Sequence, residues 1–312
     1  MKVGVIGAGY WGKKHVEEFF NLGADIIVSD MIEDNLKQCK EKYNAVTTAD
    51  YWDILNDADV AGVTICTPNS THYKICKDAL NAGKNVLVEK PLAMSVEECK
   101  DLIRLAEEKK LVLSVGHIFR FNNAVLKIKA MIDNGEIGDI YIMKLKWTNF
   151  ERLFEDRDVI FDLAPHPYDI INFLFNRYPD EVSCVGNAYR RKNEPEAVFI
   201  NGRLGSTIIN LELSWLTPVK DRSMILVGSK KSLFVNLTEQ RIQVYEDNQM
   251  KDLNIIQNNT ISDELANFLE CIKDGKISTN DGLSGLYTIK MIEITRQSLF
   301  EKKTLRFEFN NN

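Results

Sequence analysis

The sequence predicts an α/β chain built in two parts. A doubly wound parallel sheet comes first, followed by an α+β domain with a large, open, mostly antiparallel sheet. Three observations carry this reading. Over about the first 115 residues, short apolar segments alternate with helical ones, the pattern of βαβ units around a parallel sheet. After Gly116 the periodicity changes to two, over long segments separated by turn signals such as "RLGS" and "EDNQ", as antiparallel strands with one covered face require. The chain has 312 residues, whereas single cores rarely grow past roughly 250–300. The expected division is 1–119 and 120–312.

In the first part, Lys2–Ile6 is short and apolar, as a buried parallel strand is. A helix follows over Tyr10–Asn21, and Asp25–Ser29 ("DIIVS") is the next strand. Asn35–Lys42 and Tyr51–Leu55 read as helical, Val60–Cys66 as a strand, and Ser70–Ala82 as a helix closed by Gly83. Asn85–Val88 is a strand, Ser95–Lys109 a helix and Leu111–Val115 a strand. In the second part Ala124–Asp133 is helical. Strands are expected within Ile140–Thr148, Val182–Arg190, Ala197–Arg203, Ser206–Trp215, Ser223–Gly228, Ser232–Leu237 and Arg241–Tyr245, giving a sheet of about six. Ser262–Lys273 and Gly282–Leu299 are amphipathic helices, and Leu305–Phe309 reads as a last strand.

Composition narrows the function. Lys and Arg number 39 against 45 Asp and Glu, for a net charge of −6, which favours neither nucleic acid nor an acidic membrane surface. Six cysteines stand apart at 39, 66, 76, 99, 184 and 271, with no CxxC pair. That spacing argues against a zinc site or redox dithiol and for buried free thiols in a reducing compartment. No metal site is expected. The absence of a leader-like start and of a membrane-length apolar run leads us to expect a cytoplasmic protein.

"VGVIGAGYWGKKH" sets Gly7, Gly9 and Gly12 as GxGxxG between the first strand and the first helix. Gly7 allows the tight turn, Gly9 lets the backbone approach a pyrophosphate, and Gly12 lets helix meet strand. Tyr10 and Trp11 open the helix, whose N-terminal N–H groups and dipole suit a phosphate. Asp30 ends the second strand, 18 residues after Gly12, where an acid binds the adenine ribose hydroxyls. Met31 follows it, where an arginine would suit a 2′-phosphate, so NAD is favoured over NADP. Asp30 equally suits a cap for the next helix.

In a doubly wound sheet, ligands bind beyond the carboxyl ends of the strands. "CTPNSTH" therefore puts Thr67, Pro68 and Asn69 in the crevice. Ser70 or Thr71 suits a helix cap as well as a ligand contact, and His72 suits either a structural or a ligand-facing place. "NVLVEKPLAM" ends a buried strand in Glu89 and Lys90, with Pro91 fixing the exit of the chain. A buried Glu–Lys pair adds little stability by itself, so its place over the cofactor argues for function. In "FDLAPHPYD", Asp162 and His166 stand four residues apart, on one face of a helical turn. A carboxylate beside a histidine fixes its tautomer and raises its basicity, as a general base needs. The same letters also fit a helix cap with a satisfied histidine.

Taken in order and at their spacing, "GAGYWGKKH", "CTPNSTH", "NVLVEKPLA", "VGHIFRFN" and "DLAPHPYD" resemble the Gfo/Idh/MocA family, the glucose–fructose oxidoreductase and inositol dehydrogenase group. The resemblance covers nearly the whole chain and implies a Rossmann domain followed by an open-sheet domain. It implies that Lys90, Asp162 and His166 are catalytic or substrate-positioning, and that the protein is a dimer or tetramer through the outer face of that sheet. Two departures bear on local substrate contacts: Arg157 and Asp158 stand where the family often has glycines, and Ala164 where it often has glycine two residues before the histidine.

The resemblance implies a nicotinamide-dependent dehydrogenase acting on the CH–OH group of a sugar or polyol. His166 takes the hydroxyl proton, Asp162 orients it, and Lys90 donates to the same oxygen and to the nicotinamide ribose. "DLAPHPYDIINFLF" and "SWLTPVKDR" look like branches acting on nucleotide-linked sugars, such as 3-dehydrogenases of UDP-N-acetylglucosamine or its uronate. Arg120, Arg152, Lys220 and Arg222 are candidates to meet a pyrophosphate or carboxylate, although each also suits a solvated surface charge. A free sugar or inositol is the alternative substrate. A non-catalytic NAD-binding sensor and a reductase of a non-sugar substrate are the rivals from other classes.

Overall fold

The computed structural model describes residues 1–154 and 157–307. They form two compact units, 1–118 with 259–289 and 119–258 with the segment from 290 onward.

The first unit contains β1 (Lys2–Ile6), α1 (Tyr10–Asn21), β2 (Asp25–Ser29), α2 (Glu33–Tyr43), β3 (Val46–Thr48), α3 (Tyr51–Leu55), β4 (Val60–Ile65), α4 (His72–Asn81), β5 (Asn85–Val88), α5 (Val96–Lys109) and β6 (Leu113–Val115). The strands make one sheet in the order β3-β2-β1-β4-β5-β6, and every pairing is parallel. The order reverses between β1 and β4, where a doubly wound sheet opens a crevice. Strand β3 escaped the sequence reading because it is a three-residue edge strand, "VTT", with no buried residue. The helix expected over Ser70–Ala82 begins with a separate 3-10 turn, Asn69–Thr71, before α4.

The second unit begins with a 3-10 turn at Ile118–Phe121, then α6 (Asn123–Asp133), β7 (Ile140–Phe150), α7 (Val159–Leu163) and α8 (Pro165–Phe175). Strands β8 (Glu181–Asn187), β9 (Ala197–Leu204), β10 (Thr207–Ser214), β11 (Leu216–Gly228), β12 (Ser232–Asn236), β13 (Arg241–Glu246) and β14 (Gln249–Leu253) follow. The chain continues through α9 (Thr260–Asp274), α10 (Gly282–Glu301) and β15 (Leu305–Arg306). The second sheet has nine strands, ordered β14-β13-β12-β11-β7-β10-β9-β8-β15. All its pairings are antiparallel except β7 with β10.

Seven of the nine strands lie on the segments expected and β15 on the last expected strand, so the expected count of about six was too low. β14 alone escaped, because it is almost wholly exposed, "QMKDL", and lacks the alternation that marks a half-buried strand. The last expected strand is shorter, and residues 308 and 309 lie outside the described residues. β11 starts seven residues earlier than expected and accommodates Pro218 through a register shift between Leu216 and Asp221. A bulge is where proline is tolerated in a sheet.

The compact units do not coincide with the contiguous halves 1–119 and 120–312. Leu265 and Phe268 of α9 are buried in the same core as Val3, Val5, Val16, Phe19 and Leu87. Gly62 makes room for them: a Cβ there would stand 2.8 Å from Ile272 Cδ1 and 3.1 Å from the Phe268 ring. A helix 140 residues downstream in sequence therefore completes the first core, which no local pattern announces. Among the described residues no helix is long and apolar enough to cross a membrane.

One face of the second sheet is buried, with Met143, Leu145 and Trp147 of β7, Leu211 and Leu213 of β10, and Met224 and Leu226 of β11. The alternate positions Val185, Phe199, Ile208 and Phe234 of β8, β9, β10 and β12 are exposed. This follows from the two-residue period of a strand.

Candidate active site

In the first unit, the expected cofactor residues come from the carboxyl ends of β1, β2, β4 and β5, which are neighbours in the sheet. Gly7 has φ +89°, and a Cβ on it would lie 2.9 Å from the backbone of Cys66. At Gly12 a Cβ would lie 1.8 Å from the Gly7 carbonyl oxygen, so only glycine lets α1 leave the loop. Gly9 differs, since a Cβ there meets nothing within 4 Å. Its bareness serves no packing in the protein. It leaves open the space above the N-terminus of α1, which no side chain caps, where a pyrophosphate would fit. The residues present thus fit a dinucleotide.

Tyr10 is exposed with its ring edge-on to Trp11, and Lys14 lies over both rings. Asp30 is tied into the local backbone and is not the cap of α2, whose N-cap is Ile32 with no side-chain bond. Its Oδ2 accepts the Ala8 N–H at 2.6 Å and its Oδ1 the Ile32 N–H at 2.7 Å, just ahead of α2. Met31 is 95% exposed, so the residue following the acid brings no cation.

Thr67 accepts a hydrogen bond from Thr71 at 2.7 Å, Pro68 is exposed, and Asn69 is half-buried. His72 is overturned as a cofactor contact. It has no exposed surface, and its ring lies between two carbonyl oxygens, Pro91 O at 2.7 Å and Thr67 O at 3.0 Å. Burial lowers its pKa, against the pull of those carbonyls. Its place is structural: it ties the turn after β4 to the turn after β5.

The Glu89–Lys90 pairing also needs correcting. Glu89 is 7% exposed, and Oε1 bonds to Nε2 of the fully buried His15 at 3.2 Å, while Lys90 is only half-buried. The other Glu89 oxygen accepts the Lys90 backbone N–H at 3.3 Å. Burial pushes the Glu89 carboxyl up, and the His15 bond with the nearby Lys90 charge overcomes this, leaving the pKa below its ordinary value. Cys66 Sγ lies 3.5 Å from His15 Nδ1, and burial, then Glu89, push its thiol well up. The sequence reading missed His15. Its signal was weak: a histidine on the inward face of α1, three residues after the last glycine of the loop.

In the second unit, the helical turn carrying the Asp–His motif is divided. Asp162 lies in α7 and His166 in α8, joined at Ala164. The Asp162 carboxylate is held by Arg157 Nε at 3.2 Å and by Trp215 Nε1–H at 3.2 Å. The two departures from the family pattern thus have defined places. Arg157 grips Asp162 and stacks over Phe154, 3.9 Å from the ring centre. Asp158 caps α7 by accepting the Phe161 N–H at 2.9 Å, and pairs with Arg296 at 3.1 Å.

The His166 ring packs against Phe119, edge-on at 5.2 Å, and Trp147 at 5.6 Å, and those two rings meet each other at 4.9 Å. Phe119 stood within "VGHIFRFN" without being singled out, and Trp147 carried no motif signal, because its strand is distant in sequence. Arg120, expected to meet substrate, is buried instead. Its Nε and Nη2 hold Asp169 Oδ1 at 2.8 and 2.7 Å, and Nη2 also reaches Asn172 at 2.8 Å. It anchors the turn at 118–121 to α8. Arg152 and Lys220 are exposed, and Arg222 is half-buried.

Comparisons with known proteins bear on this arrangement. Residues 1–117 match the oxidoreductase family with an NAD-binding Rossmann fold, and residues 125–234 match the GFO/IDH/MocA C-terminal domain. An inositol 2-dehydrogenase/D-chiro-inositol 3-dehydrogenase of Lactiplantibacillus plantarum is 32% identical over 67% of this chain and 64% of its own. A UDP-N-acetylglucosamine 3-dehydrogenase of Acidithiobacillus ferrooxidans is 26% identical over 91% of this chain and 93% of its own. A solved structure of that enzyme covers 96% of this chain and 97% of its own, with a TM-score of 0.87 at 24% identity, a likeness of fold. The chain spans less than two thirds of some curated relatives it matches, 57% of one from Bacillus subtilis and 64% of the inositol enzyme. With both halves matched in order, the chain belongs to the Gfo/Idh/MocA family of NAD-binding oxidoreductases.

Proposed function

We propose that the protein is an NAD-dependent dehydrogenase acting on the CH–OH group of a sugar, and that the sugar is nucleotide-linked, such as UDP-N-acetylglucosamine or its uronate. One observation carries the substrate class: the likeness to the UDP-N-acetylglucosamine 3-dehydrogenase runs over 91% of the chain. The higher identity of the inositol enzyme, 32% over a shorter stretch, favours a free polyol as the second reading.

Gly7, Gly9, Tyr10, Trp11, Gly12, Asp30, Thr67, Pro68 and Asn69 hold NAD, with Glu89 setting the turn that carries Lys90. When bound, the nicotinamide ring supplies a hydride acceptor or donor. His166 takes the proton of the substrate hydroxyl as base, since an imidazole titrates close to working pH. Asp162 positions it, and Lys90 donates a hydrogen bond to the same oxygen. Trp147 and Phe119 limit the tilt of the His166 ring. A dimer or tetramer forms through the exposed apolar positions of the second sheet, and six unbridged cysteines suit the reducing cytoplasm.

The test follows NADH absorbance while nucleotide sugars and free polyols are offered with NAD. His166→Asn should cut turnover of the accepted sugar by roughly 10²–10⁴ and leave NAD affinity within a few-fold. Near-normal turnover of His166→Asn would show that another group is the base.

A further inference from the structure

Arg222 of β11 is the direct cross-strand neighbour of Trp147 on β7, and directly opposed residues share one face of a sheet. Its guanidinium lies 5.4 Å from the Trp147 ring centre, and His166 packs on the same indole. The register shift between Leu216 and Asp221 ends immediately before it, and such irregularities re-aim side chains beside functional sites.

Its hydrogen bonds account for only part of its capacity. Nη1 donates to Thr148 O at 2.7 Å and to Asp221 O at 2.9 Å, and Nη2 donates to Asn149 Oδ1 at 2.6 Å. All three acceptors are neutral. Of the five N–H groups of a guanidinium, the Nε–H and one on Nη2 remain, and these flank the edge that arginine offers to a carboxylate or phosphate in a two-bond fork. Among the described residues no carboxylate is ion-paired with it. Asp162, Asp221 and Glu151 attract it from further off, and each has its own partner in Arg157, Lys146 and Asn149. Burial draws its pKa down to about 10. The carboxylates around it offset only part of the cost of desolvating its charge, and a bound anion would offset more.

We propose that Arg222 is the anion subsite of the candidate active site, its open edge taking two oxygens of a carboxylate or phosphate on the substrate. This rests on the sugar-dehydrogenase reading and sharpens it: the substrate is an anionic sugar, either a uronate or a nucleotide-diphosphate sugar.

Calorimetry on protein saturated with NADH, which blocks oxidation of the alcohol, tests this with two ligand pairs. UDP-N-acetylglucosamine against N-acetylglucosamine examines the phosphate source, and glucuronate against glucose the carboxylate source. In at least one pair the anion should bind at least about tenfold more tightly, the usual worth of a charged hydrogen-bonded contact. Arg222→Gln should abolish that margin, and Arg222→Lys, which keeps the charge but not the fork, should restore part of it. Melting curves establish that each variant is folded; should Arg222→Gln fail to fold, the Arg222→Lys loss decides. Equal binding of both members in both pairs, or an unchanged margin in a folded variant, overturns the proposal. Binding confined to neutral sugars overturns it while leaving the dehydrogenase reading intact, and binding of neither class overturns both.

Discussion

Removing the Glu89 carboxylate should destabilise the first unit more than any exposed charge change. Glu89 and His15 are 7% and 0% exposed and meet at 3.2 Å. Glu89→Ala leaves the buried imidazole without its acceptor, and breaking a buried pair in this way costs about 3–5 kcal/mol. At about 2–4 °C per kcal/mol for a unit of this size, the melting temperature should fall by roughly 6–20 °C. Glu89→Gln keeps shape and one acceptor oxygen, and loses only the charge assistance, about 1–2 kcal/mol. Scanning calorimetry on wild type, both single variants Glu89→Ala and His15→Ala, and the double variant gives the coupling energy. Because the Glu89 pKa is lowered in the folded state from its ordinary 4.5, the ionised carboxylate contributes fully above that value. Its contribution is lost as the pH falls through the lowered folded-state value. The gap between wild type and Glu89→Gln should therefore close in acid. Coupling under about 0.5 kcal/mol, or a gap that does not change with pH, would refute the argument.

The remaining predictions are direct. Gly12→Ala forces a Cβ to 1.8 Å from the Gly7 carbonyl oxygen and should lower both melting temperature and NAD affinity. Gly9→Ala, whose Cβ meets nothing within 4 Å, should stay within about 1 kcal/mol of wild-type stability yet lose NAD affinity, by thermal melt and calorimetry together. Asp30 should disfavour a 2′-phosphate, so wild type should bind NAD more tightly than NADP and Asp30→Ala should narrow that preference; tighter NADP binding in wild type contradicts it. Arg120→Met should cost about 3–5 kcal/mol by stranding Asp169, without a selective rise in the substrate KM, as measured by melting and steady-state kinetics. Light scattering at micromolar concentration should give a dimer or tetramer, and Phe199→Lys on the exposed sheet face should shift it toward monomer.

Several parts of this protein were legible from the chain alone because their signals are local. A GxGxxG loop between a strand and a helix declares its turn by the absence of Cβ atoms, as Gly7 and Gly12 illustrate. The strands alternating with helices, and the change to a two-residue period after Gly116, are equally local, and the sheet directions followed from them. Asp162 and His166 stood out by their spacing and Lys90 by its place after a buried strand, while the roles expected of them came from the family resemblance.

Tertiary structure decided which side chains keep company, and that depends on elements far apart in sequence. Glu89 bonds to His15 rather than standing as a pair with Lys90, because β5 ends beside the helix that follows β1. His72 suited either a structural or a ligand-facing place as a letter, and the turns after β4 and β5 close over it. Arg120 and Arg222 were equivalent as letters. One is consumed by Asp169 and Asn172 of α8, while the other keeps two donors open beside Trp147. A helix from residues 260–274 completes the first core because the surface it covers is built only once the sheet is assembled. Local sequence determines backbone preference and periodicity; burial and charge partnership are properties of the folded neighbourhood, and only folding supplies them.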